Sequence, residues 1–147
     1  MKILKHTNNI QEIPMSKIST HYESYKFIQP KPENVAFNSI QRLGQLAPII
    51  VYPVADKRFE IIDGFKRYRA LKKLNAKTIT VNIVRLNSRT VKAAMLFLNQ
   101  ETGTMSDLEE AFIVQSLHTE EKLSQVEISK LLNRHKSWVS RRISLIT

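Results

Sequence analysis

Arg58-Phe59-Glu60-Ile61-Ile62-Asp63-Gly64-Phe65-Lys66-Arg67-Tyr68-Arg69-Ala70 is the stretch on which the reading of this chain turns. Its first six residues suit a β-strand, and Gly64 punctuates it. Tyr68, Leu71 and Leu74 then recur at helical spacing, which predicts a helix from about Phe65 to Leu74. A strand that meets a glycine and passes directly into a helix leaves backbone N–H groups free at the helix start. With Lys66, Arg67 and Arg69 beside them, the junction is a candidate anion site. The plain alternative is a simple turn.

Outward from this junction, Ala47 to Val54 is apolar and β-rich, and Pro53-Val54-Ala55-Asp56-Lys57 is short enough to close a hairpin onto Arg58–Asp63. Downstream, Thr78 to Val84 alternates polar with apolar and predicts a third strand. Ile10 to Pro14 reads as a short strand ending at a proline, and Gln29-Pro30-Lys31-Pro32 as a loop by composition. Val35, Phe37, Ile40 and Leu43 space a short amphipathic helix from Asn34, closed by Gly44 as its C-cap. Helices interleaved with strands predict an α+β domain over residues 1–88.

Beyond Ser88 the patterns are helical only. Val91, Ala94, Met95 and Leu98 define a helix over Thr90 to Leu98, expected to break near Gly103. Ser106-Asp107-Leu108-Glu109 and Ser124-Gln125-Val126-Glu127 are capping boxes, the second opening a helix with Ile128, Leu131 and Leu132. After Asn133-Arg134-His135-Lys136, Ser137 is expected to cap a last helix containing Val139, Ile143 and Ile146. Two short helices joined by about four polar residues predict a helix-turn-helix at about 124–146, within an all-α domain over 89–147. An ordinary helical hairpin is the alternative. The candidate DNA-binding side chains are Gln125, Arg134, Lys136, Ser137, Trp138, Ser140, Arg141 and Arg142, since arginine chelates guanine edges while serine and lysine suit phosphates. Trp138 reads either as a stacking residue against DNA or as a packing residue between helices.

The charge distribution points the same way. Lysine and arginine number 23 against 13 aspartates and glutamates, a net +10. From Gly64 to Lys92 the chain holds nine cations (Lys66, Arg67, Arg69, Lys72, Lys73, Lys77, Arg85, Arg89 and Lys92) and no acid. Cations without local partners repel one another unless a polyanion neutralises them, so nucleic acid or nucleotide is the expected partner, with an acidic peptide or a merely solvated face as the alternatives. Cysteine is absent, which excludes a disulfide scaffold, a thiolate zinc site and a cysteine nucleophile. His6, His21, His118 and His135 are scattered without metal-ligand spacing, and Glu109-Glu110 in a first helical turn is explained by the macrodipole. No apolar run approaches a membrane span, and no secretory signal is visible, so a cytoplasmic protein without a membrane partner is expected.

Ile61-Ile62-Asp63 with Gly64-Phe65-Lys66-Arg67-Tyr68-Arg69-Ala70 resembles the strand and GERRxRA box of the ParB/Spo0J family of chromosome and plasmid partition proteins. Ser39-Ile40, Gly44-Gln45-Leu46 and Pro48-Ile49-Ile50-Val51 are similar to its "SI…GQ…PIxV" segment. Asn99 with Glu109-Glu110-Ala111 is similar to its ENxxR and EEA segments, and Ser124-Gln125 through Leu145 to its DNA-reading unit. The resemblance implies an α+β ParB-like domain that binds a nucleotide, CTP in the best-known members, followed by an all-α helix-turn-helix domain. It places Gly64, Phe65, Lys66, Arg67, Arg69, Gln45, Pro48 and Asn99 at the nucleotide or its phosphates. It further implies double-stranded DNA as partner, a homodimer, a partition ATPase as a further partner, and association with the nucleoid or a plasmid.

Four positions depart from the family pattern. Phe65 and Lys66 replace the Glu and first Arg of the box, Leu98 replaces the glutamate beside Asn99, and Thr102 stands where an arginine is usual. Losing that carboxylate removes a hard oxygen ligand, which argues against Mg²⁺ and CTP hydrolysis and leaves Asn99 as the remaining metal candidate. The family's carboxy-terminal dimerisation domain does not appear among these 147 residues. Sulfiredoxin shares the fold but needs a cysteine near the glycine turn, so its chemistry is excluded. The enzyme alternative is a ParB-fold small-molecule kinase or nucleotidase, which needs an acid near the phosphate. Asp63, the catalytic candidate, and Glu60 are the local choices.

Overall fold

The computed structural model describes residues 9–25, 28, 30–102 and 105–146, without the side chains of residues 88 and 99–102. These fall into two compact units, one within His6–Arg85 and one carrying Leu86–Thr147. No described helix is long and apolar enough to cross a membrane.

The first unit is a five-stranded mixed sheet with two helices. Its strands are β1 (Ile10–Pro14), β2 (Ile18–Ser19), β3 (Ile49–Val54), β4 (Arg58–Asp63) and β5 (Thr78–Ile83), in the order β1-β5-β3-β4-β2. β1–β5 and β3–β4 are antiparallel, whereas β3–β5 and β2–β4 are parallel. The helices are α1 (Pro30–Leu43) and α2 (Phe65–Lys73), which pack on one another. Ile49, Val51, Ile61, Ile62 and Val81 have no exposed surface. Ile61 and Ile62 are consecutive and so point to opposite faces of β4, which makes this a strand covered on both sides.

Three local expectations change. Pro30-Lys31-Pro32 is the first turn of α1 rather than a loop. Prolines are compatible with a first turn because the N–H groups there have no intrahelical acceptor. Within α1 only Ile40 is buried, and Val35 and Leu43 face solvent. The two-residue strand β2 carried no sequence signal. It is fastened by Arg58, whose guanidinium donates to the Ser16 carbonyl (3.1 Å), the Ile18 carbonyl (3.1 Å) and the Ser19 hydroxyl (3.0 Å).

The second unit's described residues outside loops are helical: α3 (Ser88–Thr102), α4 (Asp107–Thr119), α5 (Gln125–Leu132) and α6 (Lys136–Ser144). The break expected near Gly103 lies outside the described residues. Both capping boxes form, with Ser106 and Glu109 opening α4 and Ser124 and Glu127 opening α5. Asn133 ends α5 in the left-handed conformation (φ 53°), and Arg134 N–H reaches back to the Ser129 carbonyl at 3.0 Å. This is a Schellman ending, for which asparagine is the usual substitute for glycine.

The β3–β4 hairpin turns through two consecutive left-handed residues, Asp56 (φ 63°) and Lys57 (φ 57°). Such turns favour glycine at the second position. Lys57→Gly is expected to stabilise the protein by about 0.5–1 kcal/mol, read as a higher urea midpoint at unchanged slope.

Candidate functional site

Gly64 caps α2 at φ 103°, a conformation that side chains with a Cβ rarely adopt. A Cβ there would meet Ile49 Cγ2 at 2.4 Å, so the glycine is also demanded by the packing of β3 against the turn. Gln45, Pro48, Asp63 and Arg67 gather around it. The Arg67 guanidinium donates to the carbonyls of Pro48 (2.7 Å) and Ala47 (3.2 Å) and pairs with Asp63 at 3.4 Å. The Gln45 amide donates to the Ala47 carbonyl (3.0 Å) and the Thr80 carbonyl (2.8 Å) and accepts from Thr80 N–H (2.9 Å). Its side chain thereby serves β5 as a neighbouring peptide would.

Of the sequence-predicted residues, Gln45, Pro48, Gly64 and Arg67 are brought together, with the donors of Gln45 and Arg67 engaged by the chain itself. Lys66, half-buried on the first turn of α2, has no ion pair among the described residues. Two other predicted phosphate contacts turn their side chains elsewhere. Phe65 is buried in the core. Arg69 is held by Glu23 (2.6 Å) and by Glu33. The acid-free cation run therefore borrows carboxylates from distant sequence, and Lys92 likewise pairs with Glu120 at 3.3 Å. Lys72 lines a hollow of about 440 Å³ at the opposite end of α2, with Met15, Ile18, Tyr68 and Asn75. As a test of fit, the first-turn N–H groups of α2, Lys66 and Arg67 form a donor set suited to phosphate. No cluster of three or more His, Cys, Asp or Glu able to hold a metal occurs among the described residues, and the side chain of Asn99 lies outside them.

The two candidate acids part company. Asp63 is paired by Arg67. Glu60 lies three residues earlier on β4, across the register shift in the β3–β4 pairing, and accepts the His21 N–H at 2.6 Å. Burial raises the Glu60 carboxyl pKa against the lowering influence of that hydrogen bond and of Arg58. Burial likewise pushes the neighbouring Tyr52 hydroxyl upward, helped by its hydrogen bond to Tyr22 (3.3 Å).

In the helical unit, α6 divides cleanly. Trp138 and Val139 are buried, while Lys136, Ser137, Ser140, Arg141 and Ser144 are exposed at positions that fall on one side of a helix. Gln125 is half-buried at the first position of α5, and Arg134 is exposed in the turn. Two expectations change here. His135, not Ser137, caps α6, its ring Nδ1 accepting the Ser137 N–H at 3.1 Å, because the helix already begins at Lys136. Arg142 is not presented outward. It pairs with Glu110 (3.3 Å) and Asp107 (3.4 Å) and lies over Trp138, which settles Trp138 as a packing residue.

The ParB N-terminal domain family matches residues 1–100. A probable chromosome-partitioning protein ParB of Pseudomonas putida is 27% identical over 94% of this chain and 48% of its own length. A nucleoid occlusion protein of Geobacillus is 29% identical over 93% of this chain and 49% of its own. The chain spans about half the length of the curated relatives it matches. The C-terminally truncated chromosome-partitioning protein ParB from Caulobacter crescentus, complexed with CTP-gamma-S, has a TM-score of 0.59 at 22% identity, covering 95% of this chain and 79% of that one. Complexed to the centromeric parS site, the same protein gives 0.57 at 21%, covering 92% and 71%. At this identity the likeness is one of fold.

Two expectations follow. Arg69→Ala strands two carboxylates and is expected to destabilise the protein by about 1–3 kcal/mol in urea unfolding. Glu60, with a folded pKa above its unfolded value, stabilises fully below the unfolded value and loses that contribution as pH rises through the folded one. Glu60→Gln should therefore melt higher than the parent at pH 8, the gap closing as pH falls toward and below 4.5.

Proposed function

The chain belongs to the ParB N-terminal domain family, and on that premise we propose that it is a DNA-binding protein of the partition or nucleoid-occlusion type. Residues 89–147 form its DNA-binding part, with α5 and α6 acting as a helix-turn-helix, and residues 1–88 its nucleotide-binding part. The observation that carries this reading is the exposed side of α6: Lys136, Ser137, Ser140, Arg141 and Ser144, on a helix that contains no acid. Buried Ile128, Leu132 and Val139 hold the helix pair together beneath it. A reading helix lays such a side chain row in the major groove, where Arg141 chelates a guanine edge while Lys136 and Ser137 take phosphates. Ser140 is small enough to let the helix approach the bases. Gln125 at the start of α5 is a further backbone contact.

The nucleotide reading rests on the α2 start, where Lys66, Arg67 and first-turn N–H groups surround Gly64. CTP is the favoured ligand by family, and CTP-gamma-S is bound by the Caulobacter relative. Binding a triphosphate here requires Arg67 to exchange the Ala47 and Pro48 carbonyls for phosphate oxygens. Glu60 is engaged by the His21 N–H and Asp63 is paired with Arg67, so neither supports the kinase alternative. A homodimer on paired half-sites, a partition ATPase as partner and residence in the cytoplasm on the nucleoid or a plasmid complete the proposal.

Selection of duplexes from a random pool, followed by anisotropy titration, tests the DNA reading. Arg141→Ala is expected to weaken the selected duplex by about 1–3 kcal/mol and relax preference at one base pair. Enrichment of no sequence, or unchanged affinity in the variant, sinks the reading. Calorimetric titration with CTP, ATP, GTP and UTP, with and without duplex, tests the nucleotide half.

A further inference from the structure

The environment of Trp138 is asymmetric. Two guanidiniums lie over its ring, each 4.8 Å from the centroid: Arg134, four residues earlier in the turn, and Arg142, four residues later on α6. Arg142 is neutralised by Glu110 and Asp107 from the first turn of α4, and its side chain is 17% exposed. Arg134 is exposed and has no ion pair among the described residues. A guanidinium stacked on an aromatic ring keeps its in-plane N–H donors available, since the ring occupies only its face. A cation held by a neutral ring therefore loses rotamer freedom without losing its capacity for an anion. A carboxylate partner would fix it equally well and consume that capacity.

The location of Arg134 gives the anion its identity. It follows the left-handed Asn133 and precedes His135, the cap of α6, and so stands beside exposed Lys136 and Ser137 at the start of the proposed reading helix. Residues flanking such a helix start lie along the DNA backbone. Resting on the proposed DNA-binding function, we propose that Arg134 is a preset contact to a backbone phosphate of duplex DNA. Trp138 is its positioning residue, and Arg142 is the anchor that ties the ring to α4 rather than a reader of bases.

Trp138 is the chain's one tryptophan, so its emission reports this place alone. The experiment titrates the full chain with a random-sequence duplex across a series of KCl concentrations, following both anisotropy and tryptophan emission. A phosphate contact is independent of sequence, so no target site is needed. For the parent, duplex is expected to change the emission. Arg134→Ala, at an exposed position, should abolish that change and lower the slope of log affinity against log salt by about one. Trp138→Phe, which keeps an aromatic face, should retain the parent slope, and Trp138→Leu should show the lowered slope of Arg134→Ala, the two being compared by anisotropy alone. Parent slope and emission response in Arg134→Ala overturn this inference alone, whereas absence of duplex binding by the parent overturns the DNA reading with it. Inorganic phosphate in place of duplex should leave the emission unchanged. An equal response to it identifies a free anion as the ligand and overturns the backbone assignment.

Discussion

A glycine held at φ 103°, with Ile49 occupying the space where a side chain would begin, fixes how β4 passes into α2. The first unit depends on that contact. It brings Arg67 under the loop before β3, where the guanidinium gathers the Ala47 and Pro48 carbonyls and the Asp63 carboxylate. The glycine thus serves two ends: backbone conformation and the proximity from which the phosphate-suited donors of α2 arise.

The helical unit rests on a different device. Its short helices are stabilised at their ends by the reciprocal hydrogen bonds of Ser106–Glu109 and Ser124–Glu127 and by the His135 ring, which accepts the Ser137 N–H, while Ile128, Leu132 and Val139 supply the buried contact. Helices of eight and nine residues are too short to persist alone in water. Capping and the Arg142 link to α4 leave one side of α6 free of structural duties. That freedom is what makes its exposed row suitable for recognition.

What the sequence disclosed, and what it hid, follows the range of the interactions. Capping boxes, the Asn133 ending, the β3–β4 hairpin and the strand-glycine-helix passage are set by residues within a few positions of one another, and each was legible. The two-residue β2 was not, because its order comes from Arg58, some 40 residues away. Nor was the fate of Arg69 or Lys92, since their carboxylates lie far along the chain. An acid-free run in sequence is not acid-free in space. The cap of α6 was misplaced by two residues because histidine is not among the usual capping side chains. Exposure of Ser137, Ser140 and Arg141 agrees with their place among the candidate DNA-binding side chains. The inward turn of Arg142 was not legible, for its partners sit on another helix.

Gln45 carries a mechanical consequence. Its side-chain amide satisfies both peptide groups of Thr80 and shares the Ala47 carbonyl with Arg67. The loop leading into β3 is therefore clamped at two points, one on the sheet and one on the helix. Anything that draws Arg67 away leaves the Pro48 carbonyl without its donor while the Thr80 clamp stays shut. The two residues before β3 are thus fastened by separate side chains, Ala47 by Gln45 and Arg67 together and Pro48 by Arg67 alone.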